Sequence, residues 1–314
     1  MALNSQIAHA ILLWMLAAPA SAQIELNPAP DPTVIHMDVD LVNLLCTVRD
    51  RNGAYAADLS KDDFTVLDNG QRQTITHFGR ELDSPLTIAL LLDVSGSVTN
   101  VLDLEKAAAQ RFFSDVLRPG DAALLVGFAQ YVLVWQDLTS SRENLQRALE
   151  DAGPMEPLQG GPLAHGGTLL RDAVNLVAAQ KLRRLPGRKT IVLITDGEDN
   201  GSRASLEEAV KAAQEADAVI YGIHYEDGNQ FYGDGLHVLQ RMSAPTGGRA
   251  FHVDKKMTLE KIFAAIEEEM RNQYGLGYAP PDKSKSGAFH KVEVKVLKPG
   301  LKVQTRDGYY AVPK

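Results

Sequence analysis

The sequence predicts an α/β protein: a doubly wound, mostly parallel sheet flanked by helices, inserted in a small split β-sandwich. Three observations predict it. From residue 86 to residue 271, strand-like and helix-like segments alternate, the pattern of a parallel sheet covered on both faces. Two segments of that run, Thr87-Ile88-Ala89-Leu90-Leu91-Leu92 and Thr190-Ile191-Val192-Leu193-Ile194, are near-continuously apolar, as strands buried on both faces are. Finally, β-patterned segments lie on either side of the run, at 34–80 and 274–305, and each is too small to bury a core alone.

Residues 1–22 read as a secretory signal peptide. Ala10-Ile11-Leu12-Leu13-Trp14-Met15-Leu16-Ala17-Ala18 is the apolar stretch, and Ala20-Ser21-Ala22 fits the small-x-small pattern with cleavage before Gln23. The n-region departs from the ideal, with only the α-amino group and His9. The apolar run is short for a bilayer span, and no later segment is long and apolar enough for one. The chain is therefore expected to be exported (periplasmic, secreted or surface-associated) with no transmembrane segment after signal removal. Residues 23–33 are proline-bearing and read as a linker.

Residues 34–82 are expected to form half of the β-sandwich, with an alternating strand at 39–48. Val42, Leu44, Cys46 and Val48 share one face of it, so the single cysteine packs in a core as a small apolar residue, the alternative being a bond to a partner. Asp68-Asn69-Gly70, between Phe64-Thr65-Val66-Leu67 and Gln73-Thr74-Ile75-Thr76, is a hairpin signal. Residues 83–271 are the α/β domain. A helix over 101–117 is expected to turn Leu104, Ala108, Phe112 and Val116 inward. Strand 122–128 follows, with 131–135 as its antiparallel neighbour after a two-residue connection. Helices are predicted at 142–150, 168–181, 205–216, 235–243 and 258–271, and strands at 190–194, 218–223 and 249–253. Residues 272–314 return to β pattern: a strand at 274–278, alternating Val292, Val294 and Val296, a turn at Pro299-Gly300 and a strand at 301–305. This tail is expected to pair with residues 34–82.

The formal net charge is −8 with no basic run, which argues against phosphate-driven binding of nucleic acid. The chemistry concentrates at strand ends. Asp93-Val94-Ser95-Gly96-Ser97 follows the strand 87–92, and Asp196 follows the strand 190–194. Gly166-Gly167-Thr168 opens a helix after a long loop, presenting the Thr168 hydroxyl. If both strands are central and parallel, Asp93, Ser95, Ser97, Thr168 and Asp196 meet at one carboxyl edge, where ligands of open α/β sheets bind. Carboxylates and hydroxyls are oxygen donors only, a set for a hard cation: Mg²⁺, with Mn²⁺ or Ca²⁺ also compatible.

These three loops together resemble a von Willebrand factor A-type domain, over roughly residues 84–271, and match its metal-ion-dependent adhesion site without substitution. The resemblance implies a divalent ion held directly or through water by those five residues, with a carboxylate of a protein partner completing the octahedron. The flanks resemble exported bacterial von Willebrand A-related proteins, frequent in acidobacteria. They do so in Asp62-Asp63-Phe64-Thr65-Val66, Thr246-Gly247-Gly248, Gln273-Tyr274-Gly275-Leu276-Gly277-Tyr278 and Arg306-Asp307-Gly308-Tyr309-Tyr310.

Alone, Ser95 and Ser97 are also plain turn or helix-cap residues. Glu198 and Asp199 either add negative potential beside the ion or are solvated loop acids. The loop 153–167, with His165, and the loop 226–235, with Phe231 and Tyr232, border the predicted metal edge and are candidate partner contacts or simple connections. No enzyme is expected. Ser95 is not in a Gly-x-Ser-x-Gly elbow, and no phosphate-binding Gly-x-x-x-x-Gly-Lys-Ser/Thr loop is present. The rival to a metal-dependent binding module is a cell-envelope scaffold whose metal is stabilising or vestigial.

Overall fold

The structure, a computed structural model, describes residues 41–80, 84–95, 102–155, 167–225, 234–280 and 287–311. The signal segment 1–22, the linker 23–33 and the first residues of the predicted strand 39–48 lie outside the described residues.

The chain enters through β1 (Val42–Arg49), β2 (Phe64–Asp68), β3 (Gln71–Gln73) and β4 (His77–Arg80). Asn69 and Gly70 take left-handed φ values of 47° and 81°, forming the tight turn that the sequence signalled. That turn pairs Asp68 directly with Gln71, so β3 is used up by Gln73 and the predicted strand at 73–76 is displaced. Ile75 instead drops into the core and the chain crosses to a second sheet as β4.

The α/β unit follows as β5 (Leu86–Asp93), α1 (Leu102–Val116), β6 (Ala122–Phe128), β7 (Val132–Thr139), α2 (Arg142–Asp151), α3 (Leu170–Leu176, continuing as a π-helical turn Val177–Leu182), β8 (Arg188–Thr195), α4 (Leu206–Glu215), β9 (Ala218–His224), α5 (Gly235–Ser243), β10 (Ala250–His252) and α6 (Leu259–Arg271). The six strands order β10-β9-β8-β5-β6-β7. All neighbours are parallel except β6 and β7. Two apolar layers cover the sheet: α1, α2 and α6 pack on one face, α3, α4 and α5 on the other. Every residue of β5 and of β8 is buried, as their apolar runs demand.

One expectation fails inside α1. Leu104 is 64% exposed, and Glu105 occupies the inward stripe at 1% exposure, beside Leu102, Ala109, Phe112 and Val116. At roughly 100° per residue, Leu102, Ala109, Phe112 and Val116 all fall within about 60° of Glu105, whereas Leu104 lies about 100° away. Ala108, Phe112 and Val116, the other members of the row read from the sequence, are buried, so only its first residue is misplaced.

The tail supplies β11 (Tyr274–Tyr278), β12 (Phe289–Val296), β13 (Lys302–Thr305) and β14 (Gly308–Tyr310). It completes two four-stranded sheets, β13-β1-β11-β4 and β14-β12-β2-β3, each mixing strands from before and after the α/β unit. One core joins them: Val42, Leu44, Cys46 and Val48 meet Phe64, Val66, Tyr274, Leu276, Tyr278, Val292 and Val294. Cys46 is buried there, and burial pushes its thiol up to about 12.

Polar contacts fix the sandwich against the α/β unit. Glu269, fully buried near the end of α6, pairs with Arg49 of β1 and with Arg249 at 2.9 Å. It also accepts from the Tyr221 hydroxyl at 3.1 Å and from Gln304 Nε2 at 2.9 Å. Arg306 pairs with Asp217 at 2.7 Å and donates to the Asn43 carbonyl at 2.9 Å. Asp307 N donates to Pro245 O, and Thr246 bridges Arg306. The Thr246-Gly247-Gly248 and Arg306-Asp307-Gly308 segments, distant in sequence, therefore meet at this junction.

Candidate metal centre

β5 and β8 run side by side, with Leu92 opposite Ile194, so Asp93 and Thr195-Asp196 reach the same carboxyl edge together. The strand order reverses here. β5 leads through α1 to β6 on one side, while β8 lies on its other side and leads through α4 to β9. Because α1 and α4 cover opposite faces, the strand ends part around a crevice, the place where this architecture binds ligands.

Asp93 is fully buried and held at both oxygens. Oδ1 accepts from Ser95 N at 2.9 Å, and Oδ2 accepts from the Thr195 hydroxyl at 2.6 Å. Thr195 Oγ1 in turn accepts from Gly197 N at 3.0 Å, tying the β8 loop to the β5 carboxylate. Asp196 Oδ1 accepts from Glu198 N at 2.9 Å, which fixes the carboxylate at the rim. Thr168 is strapped across the strand end from both sides. Its N donates to Asn200 Oδ1 at 2.8 Å on the β8 side, and Leu169 N donates to Ala129 O at 2.9 Å on the β6 side. Thr168 is thereby tied to the loops that follow β8 and β6, the two strands on either side of β5. Ser95, Thr168 and Asp196 are all buried.

Local packing leaves no slack at Asp196. A Cβ on Gly235, the first residue of α5, would stand 1.8 Å from the Asp196 carbonyl oxygen, and one on Gly197 (φ 82°) would stand 2.5 Å from Gly235 Cα. Both positions need glycine for α5 to abut the loop. Asp199 braces the same loop, accepting from Arg171 N at 2.8 Å and pairing with the Arg171 guanidinium at 2.9 Å. That is a structural part in the loop, and Glu198 is exposed.

The electrostatics are those of crowded carboxylates. Burial raises Asp93 to about 6; the hydrogen bonds from Thr195 and Ser95 pull it down and the charge of Asp196 adds to the rise. Glu105, one turn into α1, is raised to about 8 by burial first and by Asp93 second, and neither of its oxygens has a hydrogen-bond partner among the described residues. Two buried carboxylates and neighbouring hydroxyls, with no nitrogen or sulfur donor among them, fit a hard divalent cation.

Of the five predicted metal residues, Asp93 and Ser95 share the β5 loop, Asp196 follows the neighbouring strand β8, and Thr168 is bonded through its backbone to the loop after β8; Ser97 lies outside the described residues. So do His165, Phe231 and Tyr232. Sequence reasoning missed Thr195, Asn200 and Glu105. The first two are visible only as contacts between loops. Glu105 left a signal, a charged residue three after Leu102 and four before Ala109 on an apolar face. His224 ends β9 buried, its Nδ1 3.0 Å from Nδ1 of His252.

A family profile, von Willebrand factor type A domain, matches residues 87–265. No curated protein matches the chain. Among solved structures, proximal thread matrix protein 1 from the mussel byssus, with a zinc-occupied MIDAS motif, shares the fold at TM-score 0.51 and 19% identity, covering 65% of this chain and 49% of that one. A second structure of that protein aligns at TM-score 0.50 and 17% identity, over 72% of this chain and 50% of the other. The conserved hypothetical protein BatB from Bacteroides thetaiotaomicron aligns at TM-score 0.46 and 20% identity, over 59% of this chain and 97% of its own.

Proposed function

The chain belongs to the von Willebrand factor type A domain family, and from that premise we propose that it is an exported binding module whose divalent cation captures a carboxylate of a protein partner. Domains of this family are typically interaction or adhesion modules and generally not enzymes. The observation that supports the reading is the burial of Asp93, Ser95, Thr168 and Asp196 in the loops that follow β5 and β8 and the loop bonded to them, at the switch point of the sheet. Ser97 completes the set by its place two residues after Ser95, and Mg²⁺ is the ion we favour. A cation there supplies a Lewis-acidic position open to an oxygen of a partner. This chain's own residues do the rest. Thr195 and Ser95 N orient the Asp93 carboxylate, and Glu198 N orients Asp196. The Asn200–Thr168 and Leu169–Ala129 hydrogen bonds fix Thr168 between the loops. Glu198, exposed beside Asp196, repels a second acidic group and so favours a partner presenting one carboxylate. Residues 1–22 support export. The separate cores of the two parts support a division into a domain at 83–271 inserted between 34–82 and 272–314. His165, Phe231 and Tyr232 remain proposed partner contacts from the bordering loops.

Selection of displayed peptides on the Mg²⁺-loaded chain tests the reading. Retained peptides are expected to carry Asp or Glu, to elute with a chelator, and to be lost on the Asp196→Ala protein. Peptides held equally with chelator present would sink metal-dependent capture and favour the scaffold reading.

A further inference from the structure

Glu105 is the one buried carboxylate near the strand end, among the described residues, that the ligand set does not use. It sits on the sheet-facing stripe of α1 at 1% exposure, beside Leu102, Ala109 and Phe112, and both its oxygens lack a hydrogen-bond partner among the described residues. Buried carboxylates elsewhere in the fold are satisfied. Glu269 has two arginines, a tyrosine and a glutamine, and Asp68 has two tyrosine hydroxyls at 2.9 Å and His290 at 3.0 Å. Asp121 accepts from Leu86 N at 2.8 Å and from Arg118 N at 2.9 Å. An unpaired carboxylate in a packed interior is costly, and such groups persist where a positive charge meets them in the working state.

The nearby charge that shapes Glu105 is Asp93, itself buried and next to Asp196. Among the described residues neither Glu105 nor Asp93 has an ion-pair partner, so a positive charge is what this buried pair lacks. We propose, on the premise of the metal reading above, that Glu105 is a positioning residue of the metal centre: its buried carboxylate is the counter-charge that a divalent cation meets from the α1 side, acting across Asp93. No direct ligation is required, because in a low-dielectric interior a full charge acts beyond contact distance.

A purely structural role predicts something different. If Glu105 is only a buried neutral acid, glutamine replaces it with no effect on the ion. If it is the counter-charge, glutamine weakens the ion while relieving the metal-free protein of an orphaned carboxylate. Mn²⁺ is titrated calorimetrically into metal-stripped wild-type, Glu105→Gln and Glu105→Leu chains, and the thermal midpoint of each is measured without metal. The expected result is one Mn²⁺ site in the wild type, weakened about 10–100-fold in both variants, with a metal-free midpoint equal to or above wild type in Glu105→Leu. Unchanged Mn²⁺ affinity in Glu105→Gln overturns the inference and leaves the metal reading standing. Absence of Mn²⁺ binding by the wild type overturns the metal reading and this inference with it. Should Glu105→Gln fail to fold, Glu105→Leu is read in the same way.

Discussion

Asp93 is a carboxylate that must be ionised to hold a cation, and its surroundings set the pH at which that happens. Burial lifts it to about 6 against the pull of Thr195 and Ser95. Protons and metal compete for the same form, so the Asp93 contribution to Mn²⁺ affinity is expected to hold steady above pH 6 and to fall roughly tenfold per pH unit below it, on top of the weakening that protonation of Glu105 brings below about pH 8. Calorimetric titration at pH 5, 6 and 7 checks the break; a flat profile would show that Asp93 is not a ligand. Cys46 shows the opposite consequence of burial. Its thiol, raised to about 12 in the sandwich core, should not react with a thiol reagent in the native protein at pH 8, and should react fully in denaturant. Rapid native labelling would mean that the core around Cys46 opens readily, and that Leu44 and Val48, its neighbours on the same face of β1, do not shield it.

At the scale of elements, the site depends on how closely loops can approach. Gly235→Ala places a methyl group against the Asp196 carbonyl, where the distance would be 1.8 Å, so α5 or the loop must move. The expected cost is about 1–3 kcal/mol in urea denaturation, with weakened Mn²⁺ binding; a variant as stable as wild type would refute the close packing. Elements also show how far the sequence could be read. The apolar runs at 87–92 and 190–194 revealed β5 and β8 because a strand buried on both faces has no other pattern. The residues after each run revealed Asp93 and Asp196 because a strand end is a definite place. On α1, Ala108, Phe112 and Val116 were legible as inward but Leu104 was not legible as outward: Leu104 and Leu102 are both leucines, and only packing decides which faces the sheet. Glu105 was overlooked for the same reason, since a charged residue is taken as solvent-facing until the structure buries it. The shortening of β3 was equally hidden, because the two-residue turn at Asn69-Gly70 fixes the register from Asp68 and Gln71 outward. Thr195 and Asn200 hold Asp93 and Thr168 from other loops, and such tertiary hydrogen bonds leave no local trace.

For the whole molecule, the sandwich and the α/β unit share one polar junction. Glu269 lies near the end of α6, which leads straight into β11, and it binds Arg49 and Gln304 of the sandwich as well as Arg249 and Tyr221. Removing one partner of such a buried network leaves the rest uncompensated, so Glu269→Ala is expected to cost about 3–5 kcal/mol. Chemical denaturation followed by both tryptophan fluorescence and circular dichroism checks it; a loss below about 1 kcal/mol would mean the junction is held elsewhere, for example at Arg306 and Asp217. The junction lies away from the carboxyl edge of the sheet, so this variant should still bind metal while folded. The central claim concerns that edge: the proposal that Asp93, Ser95, Thr168 and Asp196, all buried there, hold a divalent cation. Its most direct test is calorimetric titration of Mg²⁺ and Mn²⁺ into the metal-stripped chain beside Asp196→Ala. The account predicts saturable binding at one site in the wild type and its loss in Asp196→Ala. Binding that survives in Asp196→Ala, or none in the wild type, would contradict it.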